Sequence, residues 1–345
     1  MTNVPIFVEV EQADDGQRIE RWLKKNAPHI PYALLQKLFR KGAIKVDGKK
    51  VKPSHKVKAG EKVRIPEVEH RENSTENGER KRGSKEEAEK YLLNNILYRD
   101  KKLVAINKPA GLAAQGGSGV KVSVDDLLPY LDNPPPNLPP QAGGGIKAGE
   151  FKLVHRIDKD TSGVMIVANG RENAKTMGDR FRDKDIEKIY WAIVVGVPDE
   201  LEGKIMLPLS SKKSDGKIEK AVVDKEEGKR AVTHYRVIET AARQLCWVEL
   251  RPITGRMHQL RVHMNEIGHP ILGDGKYGGK KAFIHGLSNS MHLHAREITL
   301  PGYFQGSGAR DQVSGRKGKD LKITADLPPH MQRTFKLFEF EIART

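Results

Sequence analysis

The segment His155-Arg156-Ile157-Asp158-Lys159-Asp160-Thr161-Ser162-Gly163 sets a carboxylate beside a guanidinium, between apolar runs at 151–154 and 164–168. An aspartate at a tight corner between two strands can stay ionised under a substrate, because a nearby cation offsets the cost of desolvation. That suits a carboxylate that must attack, or accept a proton, while buried. Taken alone, the same residues read first as an Asx-type turn whose Asp, Thr and Ser satisfy loop amides.

Three further segments change that reading. One is Leu250-Arg251-Pro252-Ile253-Thr254-Gly255-Arg256-Met257-His258-Gln259-Leu260-Arg261-Val262-His263, followed by Gly268-His269-Pro270-Ile271-Leu272-Gly273-Asp274. The others are Lys188-Ile189-Tyr190-Trp191-Ala192-Ile193-Val194 and the stretch NKPAGLAAQGG at 107–117. In this order the four segments resemble the motif set of the RluA family of RNA pseudouridine synthases. Within that family the chain is most similar to the large-subunit ribosomal branch, on the QGGSG extension at 115–119 and the N-terminal segment.

The resemblance implies an isomerase that breaks the N-glycosidic bond of a uridine, turns the uracil and rejoins it to the ribose through carbon. No atom is gained or lost, so no cofactor and no metal is expected. The chain has neither a Walker loop nor a dinucleotide glycine fingerprint. Asp158 takes the place of the family's essential aspartate. From the residues alone it could attack the ribose, attack the uracil ring, or remove the 2′-hydrogen. Tyr190 takes the place of the tyrosine that stacks on the target base, and Arg261 that of the arginine paired with the aspartate. Arg256 is the second choice for that pairing and is expected to contact phosphate. Arg156 would help replace the extruded base, and His258 is grouped with the RNA-facing residues. Spacing puts Met257, Leu260, Met264 and Ile267 on one buried helix face, with Arg261 at its boundary, where a long side chain can bury its stem and aim its head at a site. The twelve histidines lack metal-ligand spacing and are read as RNA-facing or satisfied core groups.

The chain has 345 residues and a net charge of +16, which suits two domains and a polyanionic partner. Residues 15–66 hold 15 Lys and Arg against 4 Asp and Glu, so most of that charge lies in one segment. Ile19, Trp22 and Leu23 mark the apolar face of a first helix; Leu34, Leu35, Leu38 and Phe39 mark that of a second. Strands follow around the hairpin signal Asp47-Gly48. The stretch RKGAIKVDGKKVKPSHKVKAGEKVRIP resembles an S4 RNA-binding domain, which implies phosphate contacts from Lys37, Arg40, Lys41, Lys49 and Lys50.

Residues 67–90 carry eight acidic and six basic side chains and almost nothing apolar, as a flexible linker would, with a helix closing its end. Residues 91–345 are then the catalytic domain, an α+β pseudouridine synthase fold on a mixed, mainly antiparallel sheet behind a small S4-like α+β domain. Its strands are expected at 103–107, 153–157, 164–168, 189–195, 231–238, 245–250 and 292–300, its helices at 173–182, 256–267 and 331–342, and a mobile loop at 129–149. Cys246 is the lone cysteine, so no intramolecular disulfide forms, and it is expected in the core. Neither a secretion signal nor an apolar run of membrane length is legible, and a cytoplasmic monomer bound to ribosomal RNA is expected. The alternatives are a synthase acting on transfer RNA or on another ribosomal uridine, and a non-catalytic RNA-binding ribosome-assembly factor.

Overall fold

The structure, a computed structural model, describes residues 5–27, 30, 32–66, 83–117, 119–132, 150–214, 217–304 and 318–342. The chain divides into two compact units, Met1–Gly78 and Glu79–Thr345.

The first unit runs β1 (Ile6–Glu9), α1 (Ile19–Asn26), α2 (Tyr32–Lys41), β2 (Lys45–Val46), β3 (Lys49–Lys50) and β4 (Lys62–Ile65). Its antiparallel sheet has the order β1-β4-β2-β3. Ile19, Trp22 and Leu23 bury the face predicted for α1, and Leu35 and Phe39 bury that of α2. They close on Val46, Val63 and Ile65 from the sheet. Helix α2 ends at Gly42 in the left-handed region (φ +63°), where a Cβ would strike the stem of Lys50 at 2.6 Å. Glycine therefore lets the end of α2 and the basic hairpin pack together.

The second unit begins with α3 (Lys85–Tyr91), capped by a Ser84–Glu87 box, then β5 (Ile96–Arg99), β6 (Leu103–Lys108), α4 (Val124–Leu127) and β7 (Phe151–Leu153). Next come β8 (Ser162–Asn169), α5 (Arg171–Asp183), β9 (Glu187–Val195), β10 (Glu202–Met206) and the hairpin β11 (Leu209–Ser214) and β12 (Lys217–Val223). The remainder is β13 (Val232–Ala241), β14 (Leu245–Pro252), α6 (Gln259–Glu266), α7 (Gly275–Gly278), β15 (Leu293–Phe304), β16 (Lys319–Thr324) and α8 (Pro329–Leu337). Ten strands form one sheet, β10-β13-β14-β9-β15-β8-β6-β5, with β16 on β15 and β7 on β8. Among the described residues only β15 and β8 pair in parallel, so the sheet is mixed and mainly antiparallel. Strand β8 is buried along its whole length. Met165 and Val167 face one core and Val164, Ile166 and Ala168 the other, which is why this strand reads as an unbroken apolar run.

Several expectations are corrected. Residues 85–90 are helix, with Ala88 in the second unit's core, so that unit starts before residue 91; the rest of the expected linker, 67–82, lies outside the described residues. The loop expected from 129 begins as a 3-10 turn, Leu128–Asp132, held by buried Leu131, and 133–149 lie outside the described residues. Strand β7 stops at Leu153 rather than 157, because the ring of His155 takes over: its Nε2 accepts the Ile166 N–H at 2.8 Å. Helix α6 begins at Gln259, so Met257 precedes it and packs with Val262 instead of extending the Leu260–Met264 stripe. The last helix starts two residues earlier than 331 and ends at Leu337.

Candidate active site

The corner between β7 and β8 is closed by a turn in which the Thr161 N–H donates to the main-chain oxygen of Asp158 at 3.2 Å. The backbone closes the turn, and Asp158 lines a cavity of about 590 Å³. Two bonds from elsewhere anchor the corner: the carbonyl of Lys159 accepts from the Gly111 N–H at 2.9 Å and from Lys108 Nζ at 3.0 Å. Lys108 is completely buried and also donates to the carbonyls of Pro109 and Leu112, both at 2.8 Å. It thus stitches the NKPAGL loop to the aspartate loop. Burial pulls its ammonium down to about 7, opposed by Asp160 and Asp158.

Tyr190 enters from the sheet. In one row across four strands Leu250 pairs with Tyr190, Tyr190 with Ala295, and Ala295 with Gly163. Gly163 has φ +111°, and a Cβ there would lie 2.2 Å from the Ala295 oxygen. This glycine allows β15 to approach β8 and so brings Tyr190 under the aspartate loop. Tyr190 and Asp158 both line the cavity. Burial and the Asp158 charge push the phenol well above its ordinary value, so the hydroxyl stays protonated.

Arg261 meets Asp158, the partner expected from sequence, and a second carboxylate that was not expected. Its guanidinium grips Asp274 in a fork, Nε to Oδ2 and Nη2 to Oδ1, both at 2.7 Å, while Nη1 stands 3.8 Å from Asp158 Oδ2. A planar guanidinium satisfies one carboxylate bidentately, and Asp274 is that partner. Arg261 therefore reaches Asp158 through space, held by an acid thirteen residues away. The side chains of both Arg261 and Asp274 are nearly inaccessible, at 6% and 1%. Burial raises the Asp158 carboxyl above its ordinary value; Arg261, Arg156 and Lys108 act against that rise, and Asp274 adds to it.

Gln259 builds the loop before α6. Its Oε1 accepts from Thr254 Oγ1 at 2.7 Å and from the Arg256 N–H at 3.1 Å, and its Nε2 donates to the Val232 oxygen at 2.9 Å and Thr233 Oγ1 at 3.0 Å. His258, at φ +52°, stands 3.8 Å from Asp158 Oδ2 through Nε2, and its Nδ1 lies 2.6 Å from the Tyr277 hydroxyl. Its side chain is partly buried and lines the cavity beside Asp158. Arg156 and Arg256 are exposed at the cavity wall, where Arg256 Nε donates to the Arg230 oxygen at 3.3 Å. Lys37, Arg40, Lys41, Lys49 and Lys50 are exposed on the first unit.

Lys108, Gln259, Asp274 and Tyr277 were not singled out from sequence, although each lies in or just after a quoted motif. Lys188, which lines the cavity, was passed over in the same way. For Lys108 and Lys188 the signal available was a lysine at the end of an apolar strand run; the other three carried none. Other histidines turn out to be satisfied core groups. His294 Nδ1 lies 2.8 Å from Ser162 Oγ, and His292 Nε2 lies 2.9 Å from Thr334 Oγ1. Among the described residues no three His, Cys, Asp or Glu converge as a metal site requires.

Comparison with known proteins shows the family. Residues 102–266, which include Lys108, Asp158, Tyr190 and Arg261, match the RNA pseudouridylate synthase family. A "Ribosomal large subunit pseudouridine synthase C" of Rickettsia conorii is 36% identical over 325 residues, covering 92% of this chain and 96% of that protein. The chain belongs to the RNA pseudouridylate synthase family. The likeness extends to a protein of the same printed name from Vibrio cholerae, 32% identical over 95% of both chains. Among solved structures, human RNA Pseudouridylate Synthase Domain Containing 4 is 31% identical, with a TM-score of 0.55 over 74% of this chain and 96% of that one. This pseudouridine synthase is an isomerase with the family's fold. No described helix is long and apolar enough to cross a membrane.

Proposed function

We propose that this pseudouridine synthase converts specific uridines of large-subunit ribosomal RNA to pseudouridine, with Asp158 as the group that reacts with an extruded nucleotide. One observation carries the reading. Asp158 is the single carboxylate among the described residues lining the cavity, set among Arg156, Arg182, Lys184, Lys188, Arg256 and Arg261. A wall of cations around one acid suits a polyanion brought up to a reactive carboxylate, and a binding surface alone would have no use for that acid. Tyr190, protonated and lining the same cavity, is assigned to stacking on the base. Arg261, fixed by Asp274, keeps the Asp158 carboxylate in place. The cavity is of nucleotide size, and a stacked uridine reaches it only by leaving its helix, at a cost of a few kcal/mol.

The ribosomal assignment is supported by the names of relatives from Rickettsia conorii and Vibrio cholerae that align along almost the whole chain. The first unit, with Lys37, Arg40, Lys41, Lys49 and Lys50 exposed, is assigned as an S4-like anchor for the same RNA. The test is to map pseudouridines in ribosomal RNA by carbodiimide modification and primer extension. Cells lacking the gene are compared with cells carrying it, or carrying Asp158→Asn. Loss of discrete large-subunit sites that only the unaltered gene restores is the expected result. Unchanged ribosomal RNA with missing transfer-RNA sites would move the substrate to transfer RNA.

A further inference from the structure

Around His258 a chain of polar groups runs from hairpin β11–β12 to the reactive carboxylate. The Ala221 N–H of β12 donates to the Tyr277 hydroxyl at 3.0 Å, which leaves that oxygen's own hydrogen to place. Among the described contacts its available acceptor is His258 Nδ1, at 2.6 Å. Burial, more than the nearby Arg261 and Lys276, draws the imidazole down to about 4, so near neutrality the ring carries one hydrogen. Burial also raises the Tyr277 phenol, which keeps its proton to give. If Tyr277 donates to Nδ1, the ring hydrogen must sit on Nε2, the nitrogen 3.8 Å from Asp158 Oδ2.

We infer that Tyr277 is a positioning residue that locks His258 as the Nε2–H tautomer, so that His258 presents a donor to Asp158 and links the basic hairpin to the reactive carboxylate. The inference rests on the reading of Asp158 as the reacting group. The 3.8 Å gap exceeds hydrogen-bond length by roughly 1 Å, so the donor role requires the contact to close when a nucleotide fills the cavity. A donor on one carboxylate oxygen orients the group and leaves the other oxygen free for the substrate. Tyr277 is itself gripped through its ring, with the Arg261 and Lys220 cations each 5.0 Å from its centroid. Lys220 belongs to β12, so the hairpin touches the same ring that sets the tautomer.

The test combines nitrogen NMR with steady-state kinetics on the full chain. In the ¹⁵N-labelled protein, with His258 assigned by its loss in His258→Gln, the expected pattern is a hydrogen on Nε2 and a bare Nδ1. Tyr277→Phe keeps the ring and its cation contacts, and should give a mixture of tautomers. Its kcat should fall roughly ten- to hundredfold, as for loss of a hydrogen bond to a charged group. KM for RNA should stay within about twofold, whereas a general loosening of the site would move both constants. A hydrogen on Nδ1 in the unaltered protein overturns the inference even if Tyr277→Phe does not fold. So does Tyr277→Phe with an unchanged kcat. Should Asp158→Asn turn over normally, the reading of the site itself fails, independently of the tautomer; an inactive Asp158→Asn with Nδ1 protonated sinks only the role of Tyr277.

Discussion

The exposed cations of the first unit and the charged groups around Asp158 follow opposite rules. Lys37, Arg40, Lys41, Lys49 and Lys50 stand in water, where each contributes mainly to a summed field that salt screens. Arg261, Asp274, Lys108 and Asp158 stand in or beside the core, where a charge is tolerated only with an assigned partner. The contrast shows how one protein divides the handling of RNA. In the proposed function the field gathers the polymer, and the buried web holds one carboxylate for one nucleotide. In the first region the number of charges matters more than their geometry; in the second the reverse holds.

The sharpest way to break the comparison is at Asp158. Asp158→Asn or Asp158→Ala should lower pseudouridine formation by roughly 10³-fold or more while RNA affinity stays within several-fold, since a carboxylate adds no attraction to phosphate. Turnover on purified transcripts together with filter binding checks this, and normal turnover would remove Asp158 from the reaction.

A smaller but large effect concerns the buried pair. Arg261→Ala strands Asp274 and should cost about 3–5 kcal/mol, a large part of an ordinary domain's stability. Replacing both partners, Arg261→Met with Asp274→Leu, should recover most of that stability and none of the activity. Denaturant melts and turnover of the two variants decide it. Equal stability of the single and double variants would show that the pair is not the buried unit described above.

For the exposed set, removal of residues 1–78 should flatten the salt dependence of RNA binding. Five phosphate contacts at about 0.7 each on single strands make up to about 3.5 in the log–log slope. The cut belongs there rather than at 90, because Ala88 of α3 is part of the second core. An unchanged slope would mean that the first unit does not anchor RNA.

The smallest effect is on stability and pH. Burial raises the folded-state pKa of Asp158 above its ordinary 3.8. The folded protein then holds that proton more tightly than the unfolded chain, so the destabilisation is absent below pH 3.8 and full above the raised value. Asp158→Asn should therefore melt a few degrees higher at neutral pH, and the gain should vanish on acidification. For the same reason the acid limb of kcat/KM should lie above the ordinary carboxylate range. A lower melting temperature at neutral pH would show that Arg261, Arg156 and Lys108 outweigh burial.

The sequence by itself determined the parts whose cause is local. The apolar run of β8, the stripes Ile19-Trp22-Leu23 and Leu35-Phe39, the Asp47-Gly48 hairpin and the corner holding Asp158 all follow from residue order and period. The mixed sheet was legible for the same reason. Only the tertiary structure decided which charges meet. Arg261 and Asp158 are 103 positions apart, and nothing in their spacing shows that Arg261 grips Asp274 while standing 3.8 Å from Asp158. Helix α6 is buried on nearly every side, so the periodicity that placed Arg261 at the edge of a stripe does not exist there. Lys108 and Tyr277 read as ordinary loop residues until the chain brings Lys159 to one and His258 to the other. Hydrophobic patterning is written along the chain because burial acts residue by residue. Pairing of buried polar groups depends on direction and distance in space, and both exist only once the sheet has assembled.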